Sequence, residues 1–149
     1  MKLLLLLFMG ITWLIFLPAT SLFSQSKTMM VGQAQYQTGQ VTDLVAARQS
    51  LQANLPATAI VSDIRIDYAY ADKTFYLSGK VTNDIINALF ISLHNISGQL
   101  WAMAGPGNKI TCSGTDCMDC REMCNGKPCC SCASASGKCE MVVGTNIML

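Results

Sequence analysis

The sequence has no cysteine before Cys112 and only one histidine, His94, among its 149 residues. Charged residues make up 13% of the chain, and loss of an N-terminal leader with Lys2 would lower the 10 basic residues to 9, equal to the 9 acidic ones. A chain without a clustered basic face is a poor partner for nucleic acid, so we predict none. The sequence also lacks a phosphate-cradling glycine loop and a nucleophile elbow, so we predict no catalytic residue and no enzymatic activity.

The first residues form an apolar leader. Lys2 precedes an apolar run over residues 3–17, Pro18 ends the run, and small residues follow it. This order is typical of a secretory signal peptide, which we place at residues 1–24, and it predicts an exported product that is periplasmic or extracellular. An uncleaved membrane anchor is the alternative, because the run approaches the roughly 20 residues of a membrane helix.

A flexible arm and one helix are predicted after the leader. Residues 25–40 are rich in Gln and Gly and have no steady hydrophobic period, which is typical of a mobile segment. A helix is predicted from its N-cap at Thr42 to the residue before Pro56. The predicted inward face of this helix contains Leu44, Arg48, Leu51 and Leu55.

A β-hairpin is predicted from residue 63 to residue 81, where hydrophobic residues recur at every second position around a turn at residues 71–74. Gly79 belongs to the inward-facing set, and a glycine inside a strand marks a close approach by another element. We interpret the aromatic side chains of this hairpin as core and rim rather than as a binding platform. The inward-facing set is Ile64, Ile66, Tyr68, Tyr70, Phe75, Leu77, Gly79 and Val81.

A second helix and a third strand complete the predicted domain. Apolar residues recur at helical spacing over residues 85–96, and Gly98 is placed as the C-terminal glycine of this helix. His94 lies within the helix, where we interpret it as a structural or surface histidine. A strand follows from Gln99. The order helix, strand, strand, helix, strand predicts a small α+β layer pair over residues 41–108.

A short motif spans the second strand of the hairpin and the step into the third strand. It consists of Leu77, Gly79, Val81, Ile96, Gly98 and Leu100. With this motif, residues 41–103 resemble the BON domain, a family associated with the bacterial envelope. The predicted second helix is more apolar and poorer in charge than the helix of that family. The resemblance implies a non-enzymatic adhesive module that attaches to a phospholipid or protein surface.

All 8 cysteines lie in the tail, residues 109–149, which has few apolar side chains. An even number of cysteines in an exported, coreless segment favours disulfide bonds, and we expect them to replace the missing core of a loop-dominated tail. Eight cysteines allow about 105 full pairings, and the sequence leaves the pairing open. The predicted disulfide cysteines are Cys112, Cys117, Cys120, Cys124, Cys129, Cys130, Cys132 and Cys139.

Two other roles of the tail stay open. The closely spaced cysteines resemble those of metallothionein, which as thiolates bind Zn or Cu. A thiol–disulfide oxidoreductase acting through Cys117 and Cys120 is the third interpretation, because a helix predicted from Thr115 to Cys124 would activate a thiol at its N-terminus. The metal ligands would be Cys117, Cys120, Cys124, Cys129, Cys130 and Cys132.

These patterns together predict an exported, non-enzymatic envelope protein that binds a lipid, cell-wall or protein surface. No cofactor is predicted unless the tail holds a metal ion. The sequence leaves the ligand and the oligomeric state open.

Overall fold

The computed structural model describes residues 27–82, 85–115, 122–130 and 137–149 of the chain. Within these ranges the chain forms one α-helix, α1 at Leu44–Gln52, and ten β-strands. In chain order the strands are β1 Thr28–Gln35, β2 Thr38–Val41, β3 Ile60–Ala69, β4 Thr74–Thr82, β5 Ala88–Ile96, β6 Gln99–Met103, β7 Gly105–Thr115, β8 Glu122–Cys124, β9 Lys127–Cys129 and β10 Lys138–Ile147.

Eight of the strands form one antiparallel sheet organised around β5. Along one edge β5 pairs with β4, and along the other it pairs with β7 through its first half and with β6 through its second half. The sheet continues from β4 to β3, from β7 to β10, and from β6 through β1 to β2. The remaining strands, β8 and β9, pair with each other as a short hairpin.

The sheet is nearly closed into a barrel, because its strands β2 and β3 lie against each other. Gly39 of β2 is so close to the Ile66 side chain of β3 that a Cβ atom at residue 39 would overlap it. A glycine inside a strand permits such a close backbone approach. The near-closed sheet therefore encloses one inner core.

The inner core fills the barrel, and α1 closes one end of it. Side chains such as Val31, Leu77 and Leu100 are fully buried inside the sheet, and α1 adds Ala47 and Leu51 to them. The helix prediction is confirmed, but the helix is rotated relative to the predicted face. Small residues at 47 and 50 face the barrel because they let the helix approach the sheet closely.

The N-cap and the edge of α1 differ from the prediction as a result. The Asp43 carboxylate, rather than the Thr42 hydroxyl, accepts a hydrogen bond from the Ala46 N–H at 2.9 Å. Leu44, which we predicted to face inward, is 54% exposed on the outer side of the helix.

A second, smaller core lies on the outer face of the sheet. Tyr76 from β4, Phe90 from β5, and Ile110 and Cys112 from β7 are buried there. Met123 and Cys130, from the β8–β9 hairpin and the residue after it, pack against this group. The central strands are therefore covered by apolar side chains on both faces.

The predicted α+β fold class is wrong, because the expected second helix is strand β5. Residues 88–93 of β5 are buried without interruption. A strand covered on both faces has a continuous apolar sequence, which contains residues at helical spacing as well. Gly98, expected to end the helix, instead forms the β5–β6 turn with Ser97, and both have positive φ. Such pairs are favoured in two-residue hairpin turns.

The expected loop-dominated tail is also mostly strand. Residues 105–115 and 138–147 form β7 and β10 of the large sheet, pairing along nearly their whole length. Glu122–Cys124, expected to end a helix, is β8. Residues 28–40, expected to lie in a flexible arm, form β1 and most of β2, because backbone pairing with β6 orders a sequence that has little hydrophobic pattern.

Two other strand predictions are confirmed, and several predictions fall outside the described residues. The hairpin of β3 and β4 and the strand β6 are present. The predicted signal peptide, residues 116–121 and residues 131–136 lie outside the described ranges. No helix in the described ranges has both the length and the apolar character that a membrane span requires.

Candidate functional site

A cleft of about 400 Å³ lies at the end of the barrel where three hairpin turns meet. These are the β1–β2, β3–β4 and β5–β6 turns, and the first and third are joined by a hydrogen bond from the Ala34 N–H to the Gly98 carbonyl at 2.8 Å. We call this the turn-end cleft, and it is lined by Tyr36, Tyr68, Lys73, Thr74, Phe75, Leu93, His94 and Asn95.

Aromatic side chains form much of the turn-end cleft. Phe75 is buried and belongs to the inner core, and the partly buried Tyr68 ring packs against it with centroids 4.8 Å apart. The Tyr70 ring packs edge to face against Tyr68, with centroids 5.2 Å apart. Tyr36, at the β1–β2 turn, is 93% exposed. The cleft therefore combines aromatic side chains that pack on the core with one tyrosine that is almost fully open to solvent.

Two lining residues have a backbone conformation that residues other than glycine rarely adopt. Tyr36 has φ 56° and Lys73 has φ 52°, the left-handed region in which a residue with a Cβ costs about 1–2 kcal/mol relative to its ordinary conformation. At the β5–β6 turn a glycine takes one of the two positive-φ positions, as hairpin turns usually require. The strained tyrosine and lysine therefore lie where glycine or asparagine would be more stable.

Residues with a strained backbone conformation are concentrated at functional sites in proteins. The conformational cost to folding is retained there because the side chain is needed for function. Of the five non-glycine residues with positive φ in the described ranges, Tyr36 and Lys73 line the same cleft. This coincidence makes the turn-end cleft the candidate functional site.

The β3–β4 turn that carries Lys73 is held by the β8–β9 hairpin. The Ala71 N–H donates to the Gly126 carbonyl at 3.1 Å, and the Lys127 ammonium forms an ion pair of 3.2 Å with Asp72. Gly126 has φ 76°, and its α-carbon faces the backbone of Ala71, where a Cβ would lie 3.2 Å from the nitrogen. The hairpin is thus fitted to one side of the turn.

Two disulfide bonds stabilise this hairpin, and one of them attaches it to the sheet. Cys124–Cys129 closes the hairpin itself, and Cys112–Cys130 joins the residue after it to β7. Cys139 is also disulfide-bonded. The disulfide bonding predicted for the tail is confirmed for these cysteines, and it indicates an oxidising environment of the kind that exported proteins meet.

The metal and redox interpretations depend on free thiols. Cys124, Cys129 and Cys130 are in disulfide bonds, and a sulfur in a disulfide bond is not a thiolate ligand. The other predicted ligands, Cys117, Cys120 and Cys132, lie outside the described residues. No group of three potential metal-binding side chains occurs in the parts of the chain that the structure describes.

A buried tyrosine lies beneath the hairpin. The Tyr76 hydroxyl accepts a hydrogen bond of 3.3 Å from the Asn108 amide, and the backbone N–H of Asn108 donates to the Ser92 hydroxyl at 2.9 Å. Burial raises the pKa of the Tyr76 phenol above its ordinary value of 10.0, and the nearby Asp72 carboxylate raises it further, while the bond from Asn108 lowers it. Tyr76 is therefore a neutral structural group of the outer core.

The two glycines singled out from the sequence have different roles. A Cβ at Gly79 would lie 2.7 Å from Cγ1 of Val61 and 2.8 Å from Cδ1 of Leu51, so the strand is close to both β3 and α1 there. Gly98 lies in the β5–β6 turn, and its N–H donates to the Asn95 side chain at 3.0 Å. His94 is exposed on β5 rather than within a helix.

Sequence analysis missed the two residues that distinguish the site. Tyr36 lies in the segment interpreted as a flexible arm, and Lys73 lies in a turn where a lysine is ordinary. The available signal was weak: a tyrosine and a lysine occupy tight turns in which glycine or asparagine is usual. Positive φ is a property of the folded backbone, so it could not be read from either residue.

No family model, no curated protein and no solved structure matches this chain. The helix that the BON layout requires between Val81 and Ile96 is strand β5. The function must therefore be argued from the turn-end cleft itself.

Proposed function

We propose that this protein is an exported, non-enzymatic component of the cell envelope that binds a cell-wall glycan at the turn-end cleft. The observation that carries the proposal is that Tyr36 and Lys73, both at positive φ, line the same cleft. The hairpin turns themselves require positive φ there, but a tyrosine and a lysine occupy positions where glycine or asparagine would cost less, and a bound ligand would offset that cost.

The chemistry of the lining favours a sugar among the three surfaces expected from the sequence. The exposed Tyr36 ring offers a flat face against which a sugar ring can stack, and Asn95, Thr74 and the tyrosine hydroxyl supply hydrogen-bonding groups around it. A lipid chain would require a longer apolar surface than this shallow, mostly polar cleft provides. The disulfide bonds support a location in the periplasm or outside the cell.

Sedimentation with washed, insoluble peptidoglycan tests the proposal. The disulfide-bonded mature protein should appear in the pellet with the glycan and remain in the supernatant with phospholipid vesicles, whether these are zwitterionic or anionic. Recovery with the vesicles and not with the glycan would overturn the proposal in favour of a lipid surface. Recovery with neither would overturn it as well.

A Tyr36→Gly variant separates binding from folding. Glycine adopts positive φ without a Cβ penalty, so the free energy of unfolding should be unchanged or about 1 kcal/mol higher. Glycan affinity should fall about tenfold, which corresponds to about 1.4 kcal/mol, because the exposed ring is lost. Ser97→Gly is the matched control, since it relieves the same kind of backbone cost in a neighbouring turn at a residue that does not line the cleft. Equal affinity of both variants and the wild-type protein would contradict the assignment.

A further inference from the structure

We infer that the glycan unit held in the turn-end cleft carries an acidic group, a carboxylate or a phosphate, that pairs with the Lys73 ammonium. This inference rests on the proposed function and names the class of sugar. Two features support it: the charge of the lining and the ion pair beside Lys73.

Lys73 is the charged side chain of the lining, and no carboxylate lines the cleft among the described residues. Within the described part of the chain, Lys73 has no ion-pair partner. A cation in a concave site without a compensating carboxylate attracts anions, and a charge-assisted hydrogen bond is stronger than a neutral one. The lining is therefore complementary to a negatively charged ligand.

The nearest carboxylate in sequence, Asp72, is already paired. Its side chain lies 3.2 Å from the Lys127 ammonium, which belongs to the disulfide-bonded hairpin. Without Lys127, the Asp72 carboxylate would be free to pair with its neighbour Lys73 or to repel an anionic ligand. The hairpin thus neutralises Asp72 and leaves Lys73 available, which gives the cysteine-rich tail a positioning role in ligand selection.

The experiment compares three soluble ligands by titration calorimetry on the intact, disulfide-bonded protein. The ligands are a neutral N-acetylglucosamine oligomer, a peptidoglycan glycan fragment with free carboxylates, and a sugar-phosphate polymer. At least one acidic ligand should bind about tenfold more tightly than the neutral oligomer. The two acidic ligands distinguish a carboxylate from a phosphate as the recognised group.

The Lys73→Gln variant should lose this preference, binding acidic and neutral ligands with similar affinity while retaining the affinity for the neutral oligomer. Lys80→Gln is the control for general charge, because it removes one lysine from β4 outside the cleft. It should retain the preference of the wild-type protein.

A double-mutant cycle tests the contribution of the hairpin. Lys127→Gln should lower affinity for the acidic ligand about two- to threefold, and the loss should shrink at high salt because the groups are partly exposed. Adding Asp72→Asn should restore the affinity, since it removes the uncompensated carboxylate. A loss that Asp72→Asn does not reverse would overturn the positioning role of the hairpin.

The outcomes separate this inference from the proposed function. Equal binding of neutral and acidic sugars, or a preference that survives in Lys73→Gln, overturns the inference and leaves glycan binding in place. No binding of any of the three sugars, together with no recovery on insoluble peptidoglycan, overturns both.

Discussion

At the scale of single residues, conformation and close contact are more informative than residue type. Tyr36 and Lys73 are ordinary residues in the sequence, and only their positive φ values mark them as costly. Gly39 and Gly79 are the opposite case, because each permits a close approach on which the barrel depends. The site and the scaffold therefore both rest on positions where the backbone limits the choice of side chain.

Gly79→Ala should destabilise the protein by about 1–3 kcal/mol, because the added methyl group overlaps Val61 and Leu51 in the filled inner core. Urea denaturation monitored by circular dichroism measures the change. Gly144→Ala in β10 is the matched control, since its Cβ would meet mainly the flexible end of Lys109 at 3.3 Å. It should change stability by less than about 0.5 kcal/mol. Equal effects of the two variants would show that Gly79 is not tightly packed.

The buried phenol of Tyr76 should lower the free energy of unfolding at alkaline pH. Burial raises the pKa of its phenol in the folded protein above the unfolded value of 10.0, so the neutral form stabilises the fold fully below pH 10. That contribution is lost as the pH rises through the folded-state pKa. At neutral pH, Tyr76→Phe should have a lower free energy of unfolding than the wild-type protein, because it lacks the hydrogen bond from Asn108. Plots of the free energy of unfolding against pH should therefore converge above pH 10. Parallel curves across this range would contradict a buried, neutral phenol.

At the scale of elements, β5 and the β8–β9 hairpin determine the architecture. β5 pairs with three strands and is covered on both faces, so it joins the inner core to the outer one. The hairpin covers the outer core and fixes the turn that carries Lys73. The two disulfide bonds of this region close loops of different length, with sequence separations of 18 and 5 residues.

Removal of the two disulfide bonds should have unequal effects. A longer loop constrains the unfolded chain more, so Cys112→Ala with Cys130→Ala should cost about 3 kcal/mol and Cys124→Ser with Cys129→Ser about 2 kcal/mol. The first pair also removes a buried sulfur from the outer core, which increases its cost. Denaturant unfolding of the two double variants measures the difference. A larger loss from the shorter loop would show that the outer core does not depend on the bond to β7.

At the scale of the whole molecule, the barrel and the disulfide-bonded β8–β9 hairpin with Cys130, which we call the cover, are separate sources of stability. The inner core is composed of aliphatic and aromatic side chains from seven elements and includes no described cysteine. The outer core depends on the cover and on Cys112, Cys130 and Cys139. The barrel has α1 at one end and the turn-end cleft at the other, so the proposed ligand site lies on the barrel.

Reduction of the native protein should therefore loosen the cover and leave the barrel folded. The β-sheet signal in far-ultraviolet circular dichroism should persist in strong reductant, while the melting temperature falls and amide exchange of residues 122–130 accelerates. The oxidised protein under the same buffer is the control. Loss of the whole β-sheet signal on reduction would show that the barrel itself requires the disulfide bonds.

The sequence by itself determined the local features whose physics is short-range. Alternation in β3 and β4, the existence of helix α1 and the strand at Gln99 were predictable because period and turn residues act within a few positions. The even number of cysteines, together with the predicted signal peptide, likewise predicted disulfide bonding. These predictions required no knowledge of what lies across the fold.

Only the tertiary structure decided the architecture and the site. β5 is a strand because neighbouring elements cover both of its faces. Its continuous apolar sequence would equally suit a buried helix, so the sequence alone did not distinguish the two. β1 and β2 are ordered by pairing rather than by their own hydrophobic pattern, and the pairing of Cys112 with Cys130 depends on where β7 lies. Tyr36 and Lys73 meet at one cleft because three turns converge there, and convergence depends on long-range packing, which residue spacing does not encode.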